Sequence, residues 1–492
     1  MSAWVRERSE PVDSRSAAAR LVWIALPGPD VDDESRALLA RGAGGVVLFG
    51  RNITSGEQLA RLTADLRRVA HAPLHIAIDH EGGHVARMGA PLTRFPSAMA
   101  IAATGSEDLA YSVARAAGEE LVAFGIDVNL APVLDVALDP RNPSVGVRSF
   151  GSSPELVARF GAAAVRGFRD AGVAATAKHF PGNGRTPIDP HVALPTVAGG
   201  LDRLRRSDLP PFRAAIDAGV EMVMVSHVAY DGLTDGLPST LSAAMMHELL
   251  RTELGFQGVV ITDAMVMRAL ADRHPIPEAC TRSVAAGADV VVPLEVQTDV
   301  ITAMEAAISS GRIPAGRVAG ALDRIGRLDR LRGARPAADY AALPDAGHLE
   351  LAQTVAQRSL TLVAGAELLP LGPTTSVAVI EFASRRPSPV EEGSLGTASL
   401  AAALRRHMPR VAEVIVDGKG DLAAAERAAV DAAHAAEFVL FATRDAYMWP
   451  EEGALIARVV PRAVDRAARC GPAPRPRGLP GCDPTRSPPP AR

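Results

Sequence analysis

Asp189 and His191 stand two residues apart in the segment Ile188-Asp189-Pro190-His191. That spacing is enough for an acid/base device. An extended backbone would turn both side chains to one side. The carboxylate could then accept from one ring nitrogen and stabilise the protonated imidazole, leaving the other nitrogen to move a proton. The same residues also suit plain turn chemistry, in which Asp189 bonds local backbone. Five further groups end apolar runs: Asp79 after HIAI, Lys178 and His179 within ATAKHF, His227 after MVMVS, and Asp263 after VVIT. Each would carry a desolvation cost if buried unpaired, so they are expected to converge on one polar pocket. For Asp263, which precedes AMVMRALADR, the bland reading is a helix N-cap. Lys178 stands out because it and Lys419 are the only lysines among 52 basic residues. Where Arg is the default, a retained Lys suggests a position that wants a compact point charge, not a planar fork.

The runs that carry these groups are short and β-branched: Leu21–Leu26, Gly45–Phe49, His75–Asp79, Val128–Val136, Ala174–Phe180, Glu221–Val228, Gly258–Thr262 and Ala288–Leu294. Most are continuously apolar, which is how strands buried on both faces look. Between them lie amphipathic stretches, among them SGEQLARLTADLRRVAHA, Ser106–Phe124, Pro154–Ala171, Ser242–Leu254 and Ile301–Ser310. The α/β fold predicted is a (β/α)8 barrel, with a doubly wound sheet as its rival. A helix over Pro314–Leu331 ends it, and a second βαβ series comes next, with strands at Ser376–Phe382, Val411–Val416 and Phe438–Thr443 and helices at Ser399–Met408 and Asp421–Ala436. Three strands make a thin open sheet, so this smaller domain is expected to be incomplete, with Trp449–Val460 as its last helix. The division predicted is an N-terminal extension (1–18), the barrel (19–335), a linker (336–350), the second α/β domain (351–462) and a Pro/Arg-rich disordered tail (463–492).

A chain of 492 residues with 22 % charged and 48 % hydrophobic residues is not a disordered one. Its formal charge of −4 makes nucleic acid and anionic membrane poor partners. Cys280, Cys470 and Cys482 lack metal-ligand spacing, so no metal, no cofactor and no disulfide framework is expected. The polar, charged start of the sequence lacks the apolar stretch of a secretory signal, and no window is long and apolar enough to span a membrane. A cytoplasmic protein is expected; its oligomeric state is not legible.

The segment KHFPGNGRTPIDPHVALP resembles the family 3 glycoside hydrolases, in particular those of β-N-acetylglucosaminidase (β-hexosaminidase) type. The likeness continues, in the family's order, through GGVVLFGRNI, IDHEGGHVAR, APVLDVALDPRNPSVGVRSFG, MVMVSHVAY and GVVITDAMVM. SLTLV and LLPL look like the start of the family's C-terminal domain. The resemblance implies a retaining exo-enzyme that removes terminal N-acetylglucosamine from small glycosides such as cell-wall muropeptides. It makes Asp263 the nucleophile that forms a glycosyl-enzyme intermediate, His191 the general acid/base and Asp189 its partner. It implies that Asp79 accepts from sugar hydroxyls while Arg87, Arg148, Lys178 and His179 donate. For Arg87 and Arg148 the bland alternative is an ion pair; His227 and Asp135 match family positions without a firm role.

Three residues depart from the pattern: Asn183 where His or Asp is common, His84 where Arg is usual, and Pro190 where Ser usually separates the pair. A phosphorylase is the enzyme alternative, because a neutral imidazole repels an incoming phosphate less than a carboxylate base would. No glycine-rich phosphate loop is legible, since GAGG at 42–45 precedes a strand and GKGD at 418–421 lacks the spacing. A non-catalytic carbohydrate-binding barrel is the other alternative; binding alone needs neither Asp263 nor the Asp189–His191 pair. The last 22 residues, from Gly471, hold 8 prolines and almost no apolar periodicity. Deleting 471–492 is therefore expected to leave melting temperature and activity nearly unchanged, and a large loss in either would show that this tail is packed.

Overall fold

Eight buried apolar runs form one all-parallel sheet: β1 (Trp23–Ala25), β2 (Gly45–Leu48), β3 (His75–Ile78), β4 (Val128–Asn129), β5 (Ala174–Phe180), β6 (Met222–Val225), β7 (Val259–Ala264) and β8 (Val290–Val292). Each pairs with its neighbours in chain order. Val22 bridges Val291 in parallel, and the Val291 amide donates to the Leu21 carbonyl at 3.0 Å, which closes the sheet into a barrel. The computed structural model describes residues 13–332, 340–383, 388, 399–417, 421–443, 446 and 448–470. The chain separates into a barrel unit, Met1–Val363 with Arg386–Leu395, and a second unit, Ala364–Arg385 with Gly396–Arg492.

The strands are predominantly apolar because helices cover them outside and side chains fill the barrel inside. The helix over Gly56–Val69 shows how the cover is made. Ser55 caps it by accepting from the Gln58 amide, and Leu59, Leu62 and Leu66, one helical face, are buried. The helix over Pro154–Asp170 does the same with Val157, Phe160, Val165 and Phe168.

Several expected boundaries change. The strand predicted over Val128–Val136 pairs regularly for only two residues. Pro132 has no amide to donate, and beyond it the chain keeps only scattered bonds to β5, such as Leu134 N to the Lys178 carbonyl at 2.5 Å. The helix expected at Ser242–Leu254 is wound as a π-helix over Ala244–Glu253. The N-terminal extension is shorter than 1–18, because Asp13 caps a helix over Ser14–Arg20 that buries Ala17, Ala18 and Ala19. The linker expected at 336–350 and the second domain expected from 351 are both overrun by a helix over Ala346–Arg358. Its Val355, Leu351 and Ala352 pack with the barrel's helices. SLTLV forms no strand, and Leu360, Leu362 and Val363 are exposed.

The second unit has three parallel strands, β9 (Val377–Phe382), β10 (Val411–Val416) and β11 (Phe438–Ala442), with β9 in the centre. Helices over Leu400–Arg405, Leu422–Ala435 and Pro450–Cys470 accompany them. The last runs to Cys470, past the expected end at Val460 and into the segment expected to be tail; residues 471–492 lie outside the described ones. Among the described residues no helix is long and apolar enough to cross a membrane.

The end of the barrel opposite the strand C-termini is held by charge. Asp289, fully buried just before β8, accepts from Arg251 at 2.6 Å, from Arg317 at 2.8 Å and from Arg324 at 2.9 and 3.0 Å. It also accepts from the Val260 amide at 2.9 Å. Burial brings the Arg251 guanidinium down to about 10, against the pull of Asp289. Asp289→Ala would leave three clustered arginines uncompensated, and breaking a buried pair in this way costs about 3–5 kcal/mol. Urea unfolding is expected to show that loss as a lower midpoint at unchanged slope; a loss below about 1 kcal/mol would mean the arginines find solvent instead.

Candidate active site

A parallel barrel delivers the segment after each strand to one rim. Asp79 comes directly after β3, Lys178 and His179 lie in the last turn of β5, and Asp263 lies near the end of β7. The segments after β3, β4 and β5 add Arg87, Arg148, Asp189 and His191. All eight line a single cavity of about 310 Å³, with Phe49, Arg51, Met224 and Met267 among its other walls. His227, the fifth strand-end group expected there, does not line it. Its Nε2 donates to the Ala264 carbonyl at 3.0 Å and its Nδ1 meets the Thr240 hydroxyl, so it braces the backbone beside Asp263. Burial lowers its pKa despite the nearby Asp263 charge.

One side of the cavity is an ion network. Lys178 Nζ lies 2.6 Å from Asp79 Oδ1 and 2.6 Å from Glu81 Oε1. Arg87 donates to Asp79 Oδ2 at 3.0 Å. Arg148 grips Glu81 with two bonds of 2.7 Å and donates to the Ser144 carbonyl at 2.8 Å. Burial alone would raise the pKa of both carboxyls. The Lys178 and Arg87 charges instead hold Asp79 far below the usual range, and Arg148 and Lys178 bring Glu81 to about 2. Both anions are therefore ionised at any working pH. The ion-pair reading of Arg87 and Arg148 and the cavity-facing reading hold together: each is paired and each lines the cavity.

His179 Nδ1 is spent on Asp135 Oδ2 at 2.7 Å. In the neutral ring this leaves Nε2 an acceptor, so the donating role expected of His179 requires the imidazolium. Asp135 also accepts from the Asn183 amide at 2.6 Å. It is a buried organiser of the loop, which gives it the structural role left open by the sequence.

Asp263 faces the ion network without joining it. Its Oδ1 accepts from the Ala264 amide at 2.8 Å, and among the described residues no Lys or Arg pairs with it. Burial would raise its pKa, but the His179, His227 and His191 rings and that amide hold it below the ordinary carboxylate value. It is an ionised carboxylate not committed to a cation. The N-cap reading fails, because the next helix starts at Arg268, with Met267 at its cap.

Asp189 and His191 meet as expected, but not by strand alternation. The chain turns here: the Val192 amide donates back to the Asp189 carbonyl at 2.9 Å. Asp189 Oδ1 then accepts from both the His191 amide (2.9 Å) and His191 Nδ1 (2.7 Å). Turn chemistry and acid/base pairing occupy the same oxygen. Burial would lower the His191 pKa, but the bond to Asp189, its charge and that of Asp263 raise it above the ordinary 6.5. His191 Nε2 is left as the nitrogen that can serve a ligand.

The departures sit quietly. Asn183 binds the loop through its backbone, and its Oδ1 is buried with no hydrogen-bond partner among the described residues. The Pro190 carbonyl accepts from the Ala269 amide at 3.1 Å, tying the pair's loop to the segment after β7. His84 is half-buried and not among the cavity's lining residues. Two residues escaped the sequence reading. Glu81, two positions after Asp79 in IDHEGG, carried a usable signal as a second acidic residue beyond the same strand. Ser388, whose hydroxyl bonds Asp189 Oδ2 at 2.7 Å, carried none.

Comparison with known proteins gives a consistent picture. The family model described as "Glycosyl hydrolase family 3 N terminal domain" matches residues 15–328. A protein named beta-hexosaminidase A from Pseudoalteromonas piscicida is 33 % identical over 389 residues, 72 % of this chain and 65 % of that protein. This chain thus spans a little under two thirds of that relative. The solved structure of a glycoside hydrolase family 3 beta-N-acetylglucosaminidase from a Paenibacillus species superposes with a TM-score of 0.86 at 35 % identity, covering 92 % of this chain and 88 % of that one. A beta-glucoside phosphorylase, BglX, superposes with a TM-score of 0.72 at 26 % identity, covering 82 % and 75 %.

The imidazole makes a direct test of this geometry. Because its pKa is raised, His191 should stay protonated through 6.5 and lose its proton only as pH rises beyond that. An NMR titration of the ring is expected to show this, and Asp189→Asn to bring the midpoint down, since burial then acts with less opposition. A midpoint unmoved by Asp189→Asn would remove the carboxylate from the pair.

Proposed function

The chain belongs to glycosyl hydrolase family 3, and from that premise we propose that it is a retaining exo-β-N-acetylglucosaminidase working through Asp263 and the Asp189–His191 pair. The observation that carries the reading is that a carboxylate committed to no cation and an imidazole whose Nδ1 is held by Asp189, which raises its pKa, line the same cavity. In the first step an Asp263 oxygen bonds the anomeric carbon while the bond to the leaving oxygen breaks, and His191 Nε2–H supplies that oxygen's proton. In the second, water attacks the anomeric carbon, its proton passes to His191, and the Asp263 ester bond breaks. Asp189 holds the ring by Nδ1 and stabilises its charge. Asp79, Arg87, Arg148, Lys178 and His179 form the sugar-binding wall.

The names of the relatives support N-acetylglucosamine as the sugar removed. Small cell-wall muropeptide fragments in the cytoplasm are the substrates we assign. Phosphorolysis is the second reading, favoured by the likeness to a beta-glucoside phosphorylase and by an imidazole base that does not repel phosphate as a carboxylate would.

Turnover of a chromogenic N-acetylglucosaminide, with products identified with and without phosphate, tests these readings. Free N-acetylglucosamine is expected in both conditions, and sugar 1-phosphate as the main product at millimolar phosphate would select the second. Asp263→Ala is expected to cost about a thousandfold or more in rate with the fold intact. Residual activity within about tenfold of the parent would overturn the nucleophile assignment, and binding without turnover in the parent would leave a carbohydrate-binding barrel.

A further inference from the structure

We infer that Ser388 is a positioning residue for the acid/base pair, supplied by a part of the chain outside the family's N-terminal domain. The inference rests on the reading of His191 as acid/base. Ser388 lies beyond the matched residues 15–328 and comes after β9 in the sequence, yet it groups with the barrel unit. Its side chain is buried, with Ser388 1 % and Asp189 4 % exposed.

The geometry divides the Asp189 carboxylate between two tasks. Oδ1 takes the His191 amide and Nδ1, both from its own turn. Oδ2 takes the Ser388 hydroxyl at 2.7 Å, from 199 residues away. A carboxylate bonded on one oxygen only is free to rotate about its Cβ–Cγ bond, and each rotation re-aims the bond to the ring. A donor on the second oxygen fixes the plane of the group, and with it the direction of Nδ1–H and of Nε2 on the far side of the ring. The hydroxyl also favours the ionised form of Asp189, the form the imidazolium needs. Ser388 is not among the residues lining the cavity, so it would act through Asp189.

A positioning role has a signature that loss of folded protein lacks. A substrate with a good leaving group needs little protonation, so misaiming His191 harms it little. For full-length Ser388→Ala we expect kcat/KM to fall about tenfold on an alkyl N-acetylglucosaminide and less than about threefold on the 4-nitrophenyl one. Ser388→Thr, which keeps the hydroxyl, should restore the parent's ratio. The His191 Nδ1 proton, expected as a downfield NMR resonance in the parent, should move upfield or be lost to exchange in Ser388→Ala. Equal falls on both substrates, or an unchanged Nδ1 resonance, would overturn the inference. The acid/base reading fails separately, if His191→Ala itself affects good and poor leaving groups alike; the resonance still decides whether Ser388 orients the pair.

Discussion

An ammonium group 2.6 Å from each of two carboxylates, on a side chain only 2 % exposed at the end of a barrel strand, is expensive to desolvate. Asp79 and Glu81 flank Lys178 and offset that cost, and the charges of Lys178, Arg87 and Arg148 keep both carboxylates ionised. An arginine fork would spread its charge across a plane, whereas a compact charge can sit between two acceptors. In a chain with two lysines this explains why one of them is here. The network also sets which polar edges are left for a ligand, since every member already has a fixed partner and orientation.

Against that saturated wall the other carboxylates differ by their partners. Asp263 has an amide and surrounding rings but no cation locked to it, so its charge remains available to a ligand. Asp189 is fully engaged, on one oxygen by His191 and on the other by Ser388. Paired acids build the wall, an unpaired one can attack, and a doubly bonded one can only hold. Environment separates chemically identical side chains into three roles.

Much of this was legible because it obeys local rules. Continuous apolar runs announced buried parallel strands, and polar residues at their ends announced the rim. The eight cavity residues came from that rule together with the family resemblance. The rest was not legible because it required contacts between distant segments. Nothing in MVMVSHVAY says that His227 turns to the Ala264 carbonyl instead of the cavity; the Thr240 hydroxyl that helps hold it comes from a later segment. Ser388 is farther still from its partner, in a stretch with no periodicity to read. The second unit's start was misplaced for the same reason: the helix over Ala346–Arg358 reads as a generic amphipathic segment, and only its packing, with Val355 in the barrel's core, assigns it.

The Asp189–His191 pair rides on a loop, although a site needs sub-ångström placement that rigid strands supply more easily. The loop compensates with anchors made mostly by backbone. The Asn183 amide bonds Asp135, the Asn183 carbonyl accepts from Asn142 Nδ2 at 2.6 Å, and the Pro190 carbonyl accepts from the Ala269 amide. Gly184 presses so close to the neighbouring segment that a Cβ would lie 1.6 Å from the Val136 carbonyl oxygen, and its own carbonyl accepts from the Asp139 amide at 3.1 Å. Anchors of this kind depend on main-chain atoms and on the absence of a side chain at 184, not on which side chain stands at 183 or 190. The two departures nearest the chemistry, Asn183 and Pro190, thus line the cavity while the anchors of their loop stay on main-chain atoms. Proline loses only an amide and keeps the carbonyl that does the anchoring, so the pair can keep its geometry on an altered loop.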